Sequence, residues 1–329
     1  MSSLSTLDPA IESTVAQGPV DHPWRRLLKS GRIVIGGSIM LACIFASLLT
    51  LPITMSANSN WHYDAQHSNA SRQSPTLSPA WKIFGTDSLG RSMLSRCLIG
   101  GAISLAIGVC AAVISVFLGV TIGLVAGYRG GLLDSLLMRL VDILYGLPYI
   151  LLVILLKIAC EQPLTRLVRN LTNSSAADQI ANFIVLFIAI GAVSWLTMAR
   201  VVRGQVLSLR SQPFIEACKA GGLTEWRIFT HHLLPNLIGP ITVYTTLIIP
   251  GAILNESFLS FLGIGIKPPM PTWGSLASDG LLPALNPINH RWWLLVFPCL
   301  LLAITLLSLN FVGDGLRDVF DPKRDAAKI

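Results

Sequence analysis

The stretch that decides the fold is 97-CLIGGAISLAIGVCAAVISVFLGVTIGLVAGY-128. No Asp, Glu, Lys, Arg or His lies between Arg96 and Arg129. It is longer than the roughly 20 residues a helix needs to cross about 30 Å of hydrocarbon. It is also studded with glycine, at 100, 101, 108, 119, 123 and 127. Gly119–Gly123 and Gly123–Gly127 form two overlapping GxxxG pairs, which let helices approach closely. Packing within the chain is the expected use of these pairs, and a dimer seam is the alternative. Four more uncharged runs extend from Arg32 to His62, Asp178 to Arg200, His232 to Glu256 and Arg291 to Asp314. A weaker sixth span, Val141–Cys160, has Asp142 near one end and Lys157 near the other; long polar side chains reach the interface from such positions. A β-barrel is excluded, because its segments alternate and are only about ten residues long.

Composition agrees. The 329 residues are 52% apolar and only 12% charged, against about 25% charged in soluble domains. Mean hydropathy is +0.64 and the pI is near 9.3. Such a chain is not disordered, collagen-like or an ordinary soluble enzyme. The net charge of +7 is read as a topology signal rather than a nucleic-acid footprint. With the N-terminus inside and six crossings, about 15 of the 24 basic residues fall inside, giving N-in and C-in. No cleavable signal peptide is expected, since the first 23 residues are polar.

The expected organisation is a cytoplasmic tail and interfacial lead-in over 1–32, a first transmembrane helix over 33–55 and an extracytoplasmic segment over 56–97. A five-helix core over 98–314 and a cytoplasmic tail over 315–329 follow. Gly36 and Gly37 should let the first span pack closely. Pro148, Pro240 and Pro250 should kink spans three and five, making them candidates for lining a pathway. The six cysteines have no metal-ligand spacing and read as small apolar fillers; Cys97 and Cys160 could both face outward, and the sequence leaves their pairing open.

Residues 203–236 are too polar to span and too patterned to be a linker. Ser211-Gln212-Pro213 predicts a helix start, and Gly221-Gly222 its end. Thr224 can cap a second short helix, which Pro235 stops or bends into span five. Phe214, Ile215, Ala217, Cys218, Trp226, Ile228, Phe229, Leu233 and Leu234 give the loop an apolar face, an exposed patch if nothing covers it. The chain has no GxxxxGK[ST] phosphate loop. His231-His232 point apart on a helix and suggest no metal site, and no catalytic constellation is defensible. Asp142 and Glu256, the near-span carboxylates, are expected close to an interface.

Glu216-Ala217-Cys218, three residues, Gly222, and then Leu234-Pro235 resemble the EAA loop of ABC importer permeases, with Cys218 at the second alanine and His232 at the usual isoleucine. Phe84-Gly85-Thr86-Asp87-x-x-Gly90-Arg91 resembles that family's FGTDxxGRD signature, with Ser92 replacing Asp. Leu259–Gly265 with Pro268-Pro269 and Pro271–Gly274 resembles LSFLGLG…PPxPxWG, and Asn310–Asp318 with Asp321-Pro322 resembles NxxGDGLRDxxDP. Read without the resemblance, these last three stretches are a capped turn with an Asp–Arg pair, a rigid turn with Trp273 at the membrane interface, and the charged end of span six. Together they make the chain similar to the C-type permeases of dipeptide and oligopeptide ABC importers.

That resemblance implies an all-α membrane protein with six transmembrane helices, the type I importer permease fold, in a bacterial inner membrane. It implies an ATPase-coupling loop made of Glu216, Ala217, Cys218, Gly222, Leu234 and Pro235. It implies no catalysis and no cofactor on this chain, with ATP and Mg on partner chains. The implied partners are a second homologous permease, two ABC ATPase subunits, an extracytoplasmic binding protein and the lipid bilayer, with no nucleic acid. Nickel chelates, glutathione or antimicrobial peptides are alternative cargoes on the same architecture. A self-sufficient channel or carrier is the rival of another class, and a scaffold a third.

Overall fold

The computed structural model describes residues 30–56, 59–172 and 177–320. The readings made for residues 1–29 and from Asp321 onward lie outside the described residues.

The glycine-rich run forms one long helix, α2 (Met93–Arg129). It begins before the expected residue 98 because Ser92 is its N-cap, its hydroxyl accepting from the Ser95 N–H at 3.2 Å. Serine and aspartate cap about equally well, so the one departure from the FGTDxxGRD pattern costs the helix little. The partner of α2 is the similarly long α5 (Ala177–Arg210). A Cβ placed on Gly119 would lie 2.5 Å from the Met198 Cβ, and one on Gly123 2.5 Å from the Ala199 carbonyl oxygen. One on Gly127 would lie 2.9 Å from the Val206 Cβ. The GxxxG pairs therefore serve packing within the chain, backbone against backbone.

The first span, α1 (Gly31–Thr54), lies against the last, α9 (Trp293–Phe320). Gly36 makes the close contact, under Ser308 and Phe311, while Gly37 faces open space. An Arg32–Asp318 ion pair at 3.1 Å fastens one end of the two helices.

The expected third span is not a kinked rod. It is two helices, α3 (Gly131–Tyr145) and α4 (Tyr149–Thr172), bent by 99° where they meet. Pro148 has no N–H to continue a helix and disfavours helical geometry at Leu147. Arg203 then clamps Asp134 through two contacts of 2.6 and 2.7 Å, and Arg200 holds Asp142 at 2.7 Å. Both ion pairs tie α3 to α5. Among the described residues there are thus five helices long and apolar enough to cross a membrane, and six passes if the bent pair is one.

After the short helix α6 (Pro213–Ala220), the chain runs as a single helix α7 (Glu225–Phe261); of the two readings for Pro235, the helix continues through it into span five and is not stopped. The turn Phe229–Leu233 widens to a π-helix, in which Leu234 N–H reaches back to the Phe229 carbonyl. This accommodates a proline that cannot donate to the carbonyl four residues earlier.

The Pro-Pro-x-Pro-Thr-Trp-Gly stretch is not only a turn. It launches the helix α8 (Trp273–Leu285) from a Thr272/Ser275 capping box. Trp273 is buried within the chain, and its indole N–H donates to the Cys97 carbonyl at 3.0 Å. Two ionisable groups are likewise buried within the chain. Lys157 donates to the carbonyls of Ile264 and Gly265. Glu256 is fully buried and accepts from Ser104 at 3.0 Å and Ser260 at 2.6 Å. Among the described residues Cys97 and Cys160 are free thiols.

Residues 59–92 carry short 3-10 turns at Ser68–Ala70 and Ala80–Lys82 and a single bridge, Thr86–Ser92. Asp87 organises this segment. Its carboxylate takes Arg91 at 2.7 Å, the Leu89 and Arg91 N–H groups at 2.9 Å, and the nearly buried Arg96. Burial alone would raise this carboxyl, but Arg96 and Arg91 hold it below the usual carboxylate range. The capped-turn reading describes this arrangement, with Arg96 and the Asp64–Arg91 pair at 2.9 Å added.

Candidate functional site

Two features stand out: the loop between α5 and α7, and a cleft in the middle of the spans. In the loop, Gln212 is the N-cap of α6 and Pro213 occupies its first turn. Gly221 closes the helix and Gly222 turns the chain at φ +72°, where a side chain would be strained. Thr224 precedes α7 in extended geometry, without a side-chain cap.

Part of the loop's apolar face is covered by its own chain. Ile215, Ile228 and Leu233 are buried, with Leu237 of α7, among Leu124 and Tyr128 of α2 and Met198, Val202 and Val206 of α5. Each fully buried aliphatic side chain contributes roughly 1.5–3 kcal/mol. The exposed Arg129–Glu225 pair at 2.9 Å adds at most about 1 kcal/mol. Burial therefore seats the loop, and the charge pair only trims its register. Lys219 lies over the Tyr128 ring at 5.2 Å, and Phe229 meets that ring edge-on at 4.8 Å.

What remains uncovered is a rim on the opposite face. Glu216, Ala217, Gly222, Leu234 and Pro235 are exposed and Cys218 is half-buried. Trp226 is 75% exposed and Phe214 40%. Glu216 has no ion pair among the described residues. The loop is thus bound tightly on one side and open on the other.

The cleft has a volume of about 500 Å³ and lies between the α3–α4 corner, α5 and α7. Leu147 and Tyr149, on either side of Pro148, line it, as does Gly251 beside Pro250. Pro148 itself is exposed, Pro250 is buried and Pro240 takes no part in the lining. Tyr145, Tyr149, Ser194, Thr197, Tyr244 and Asn255 supply the polar groups. Sequence reading missed all six, because an isolated hydroxyl or amide in an apolar run is unremarkable until another helix brings a second beside it. At the end of the bundle away from the loop, a second cavity of about 700 Å³ is lined by Glu161, Arg166, Arg169, Asp178 and Lys267 among others. No group of three or more potential metal ligands occurs among the described residues, His231 and His232 included.

The geometry of a multi-span bundle carrying a seated polar loop can now be set beside known proteins. Residues 119–326 match the family described as binding-protein-dependent transport system inner membrane component. This chain belongs to that family. The permease is 41% identical over 299 residues to the oligopeptide transport system permease protein OppC of Escherichia coli strain K12, covering 91% of this chain and 90% of that one. It is 39% identical over 300 residues to the dipeptide transport system permease protein DppC of Bacillus subtilis strain 168, covering 91% and 84%. Among solved structures, a chain from inward-facing conformations of the MetNI methionine ABC transporter aligns with 67% of the permease and 94% of its own length, at 20% identity and a TM-score of 0.49. The permease is a multi-pass, all-helical inner-membrane component.

Proposed function

We propose that this permease forms half of the translocation pathway of an ABC importer for dipeptides or oligopeptides. The substrate class rests on the names of relatives such as those from Escherichia coli and Bacillus subtilis. In this reading the N- and C-termini and the 203–236 loop are cytoplasmic, and a second, homologous permease completes the pathway. Two ATPase subunits bind ATP and Mg, an extracytoplasmic binding protein delivers the peptide, and this chain has no catalytic role and no cofactor.

The observation that carries the reading is the two-faced loop. Its inner face is packed on α2, α5 and the start of α7, while Glu216, Ala217, Gly222 and Trp226 stay open. That is the form a coupling element needs. A partner gripping the rim moves the helices under it, since the loop cannot yield without unburying its anchors. Closure of the ATPase dimer on ATP then opens the pathway outward to receive peptide, and hydrolysis returns it inward. Such coupling requires the ATPases to bind the two states with different affinity.

The test is purification of the tagged chain from its native membrane in mild detergent, with mass spectrometry of what accompanies it. Two ATPase chains and a second permease are expected. A chain that purifies alone and transports after reconstitution without ATP overturns the reading.

A further inference from the structure

The two cavities differ in kind. The one away from the loop is ringed by full charges of both signs, Glu161, Arg166, Arg169, Asp178 and Lys267. The cleft has none; its polar groups are Tyr145, Tyr149, Ser194, Thr197, Tyr244 and Asn255. The Tyr149 hydroxyl lies 3.5 Å from the Ser194 hydroxyl, and Asn255 lines the same cleft. Beside the cleft, Arg200 and Asp142 are paired at 2.7 Å, with Arg200 stacked 4.0 Å over the Tyr145 ring. Ser194 and Thr197 sit near the middle of α5, and Tyr244 and Asn255 lie on α7, both helices long and apolar enough to cross a membrane. The cleft is therefore walled by spanning helices.

We propose that this cleft is a binding site for the peptide main chain. The inference rests on the peptide reading above and names where and how this subunit meets its cargo. A peptide group offers one donor and one acceptor; so does a carboxamide, and a hydroxyl can serve either way. At membrane depth an unpaired peptide group costs several kcal/mol. Asn255, Ser194 and the tyrosine hydroxyls supply partners that do not depend on the side chains the peptide carries. A fixed charge here would favour cargo of the opposite sign and repel the other. Its absence leaves this half of the pathway indifferent to side-chain charge.

The experiment uses the complete importer, with its partner subunits and binding protein, reconstituted in vesicles. Uptake of trialanine is compared with uptake of the analogue whose central amide N–H is replaced by an ester oxygen. The binding protein's own preference is the same for every variant and cancels in the ratio. Asn255→Leu should reduce the wild-type preference for the amide by about two- to tenfold, the value of one hydrogen bond. Ser194→Ala and the conservative Tyr149→Phe should reduce it less. Lysine- and glutamate-containing tripeptides should be affected alike. No trialanine uptake by the wild type overturns the peptide reading and the site with it. Uptake with an unchanged amide preference in Asn255→Leu and Tyr149→Phe overturns the site alone, as does a variant that separates lysine from glutamate peptides.

Discussion

Replacing Ile215 by alanine should free the loop without altering the face it presents. Ile215 is fully buried beneath α6, between the ends of α2 and α5. Truncation removes three carbons, about 2.4 kcal/mol of transfer free energy at 0.8 per carbon. The cavity left behind brings the loss to about 2–5 kcal/mol. At tenfold per 1.4 kcal/mol, the undocked loop becomes on the order of 30- to 3000-fold more populated. Trypsin needs an extended segment, so cleavage after Lys219 and Arg227, which flank the Gly221–Thr224 turn, reports that population. In the purified variant those two cuts should accelerate by at least tenfold, while Phe214→Ala, at a half-open position, leaves them near wild type. Peptide uptake per ATP hydrolysed should fall in Ile215→Ala although the complex still assembles. Cleavage of Ile215→Ala at the wild-type rate would refute the argument that burial seats the loop.

Three further outcomes are expected. Gly123→Leu drives a side chain into the Ala199 carbonyl, 2.5 Å from its would-be Cβ, and should lower stability by about 1–3 kcal/mol or more; thermal unfolding in detergent checks this, with Gly37→Leu, in open space, as the neutral control. At Gly222, φ +72° makes Gly222→Val costlier than Gly222→Asn by about 1–2 kcal/mol, so the valine variant should reach the membrane but lose uptake per ATP while asparagine largely keeps it; equal behaviour would show that backbone conformation is not the reason for the glycine. Asp87 titrates below its ordinary 3.8 when folded, so its stabilisation is complete above that value and is lost as pH falls toward the folded value; Asp87→Asn should flatten this acid limb of the stability curve, and should also cost about 3–5 kcal/mol near neutrality by leaving Arg96 buried without its counter-charge.

The spans were legible because a run without charge longer than 20 residues leaves a helix few other places to be. The turn of the loop was legible for a local reason too, since Pro213 and Gly221-Gly222 punctuate a helix by backbone chemistry alone. The failures share a different cause. The burial of Lys157 and Glu256 was hidden because their partners are far away in the chain: Gly265 lies 108 residues from Lys157, and Ser104 lies 152 from Glu256. The burial of Trp273 was hidden for the same reason, its acceptor being the Cys97 carbonyl. The corner at Gly146–Pro148 was visible as a weakness, but its 99° is held by Arg200 and Arg203 on another helix. Helix α8 was missed although Thr272 and Ser275 spell a capping box, because a neighbouring run of prolines suggested only a turn. The cleft was invisible, since it exists only once three separate segments converge.

The glycine seam between α2 and α5 has a mechanical meaning. Two rods of about 50–55 Å meet closely, glycines of α2 set against Met198, Ala199, Val202 and Val206 of α5. Packed that tightly, they move together as one beam. A push delivered at the loop travels along that beam. The compliance has to reside in a joint, and the right-angle corner after Tyr145 is the one bordering the cleft. The stroke of the machine would then be read as a change in the corner's angle, and a strain gauge built from two labels should straddle residues 146–148 rather than the beam.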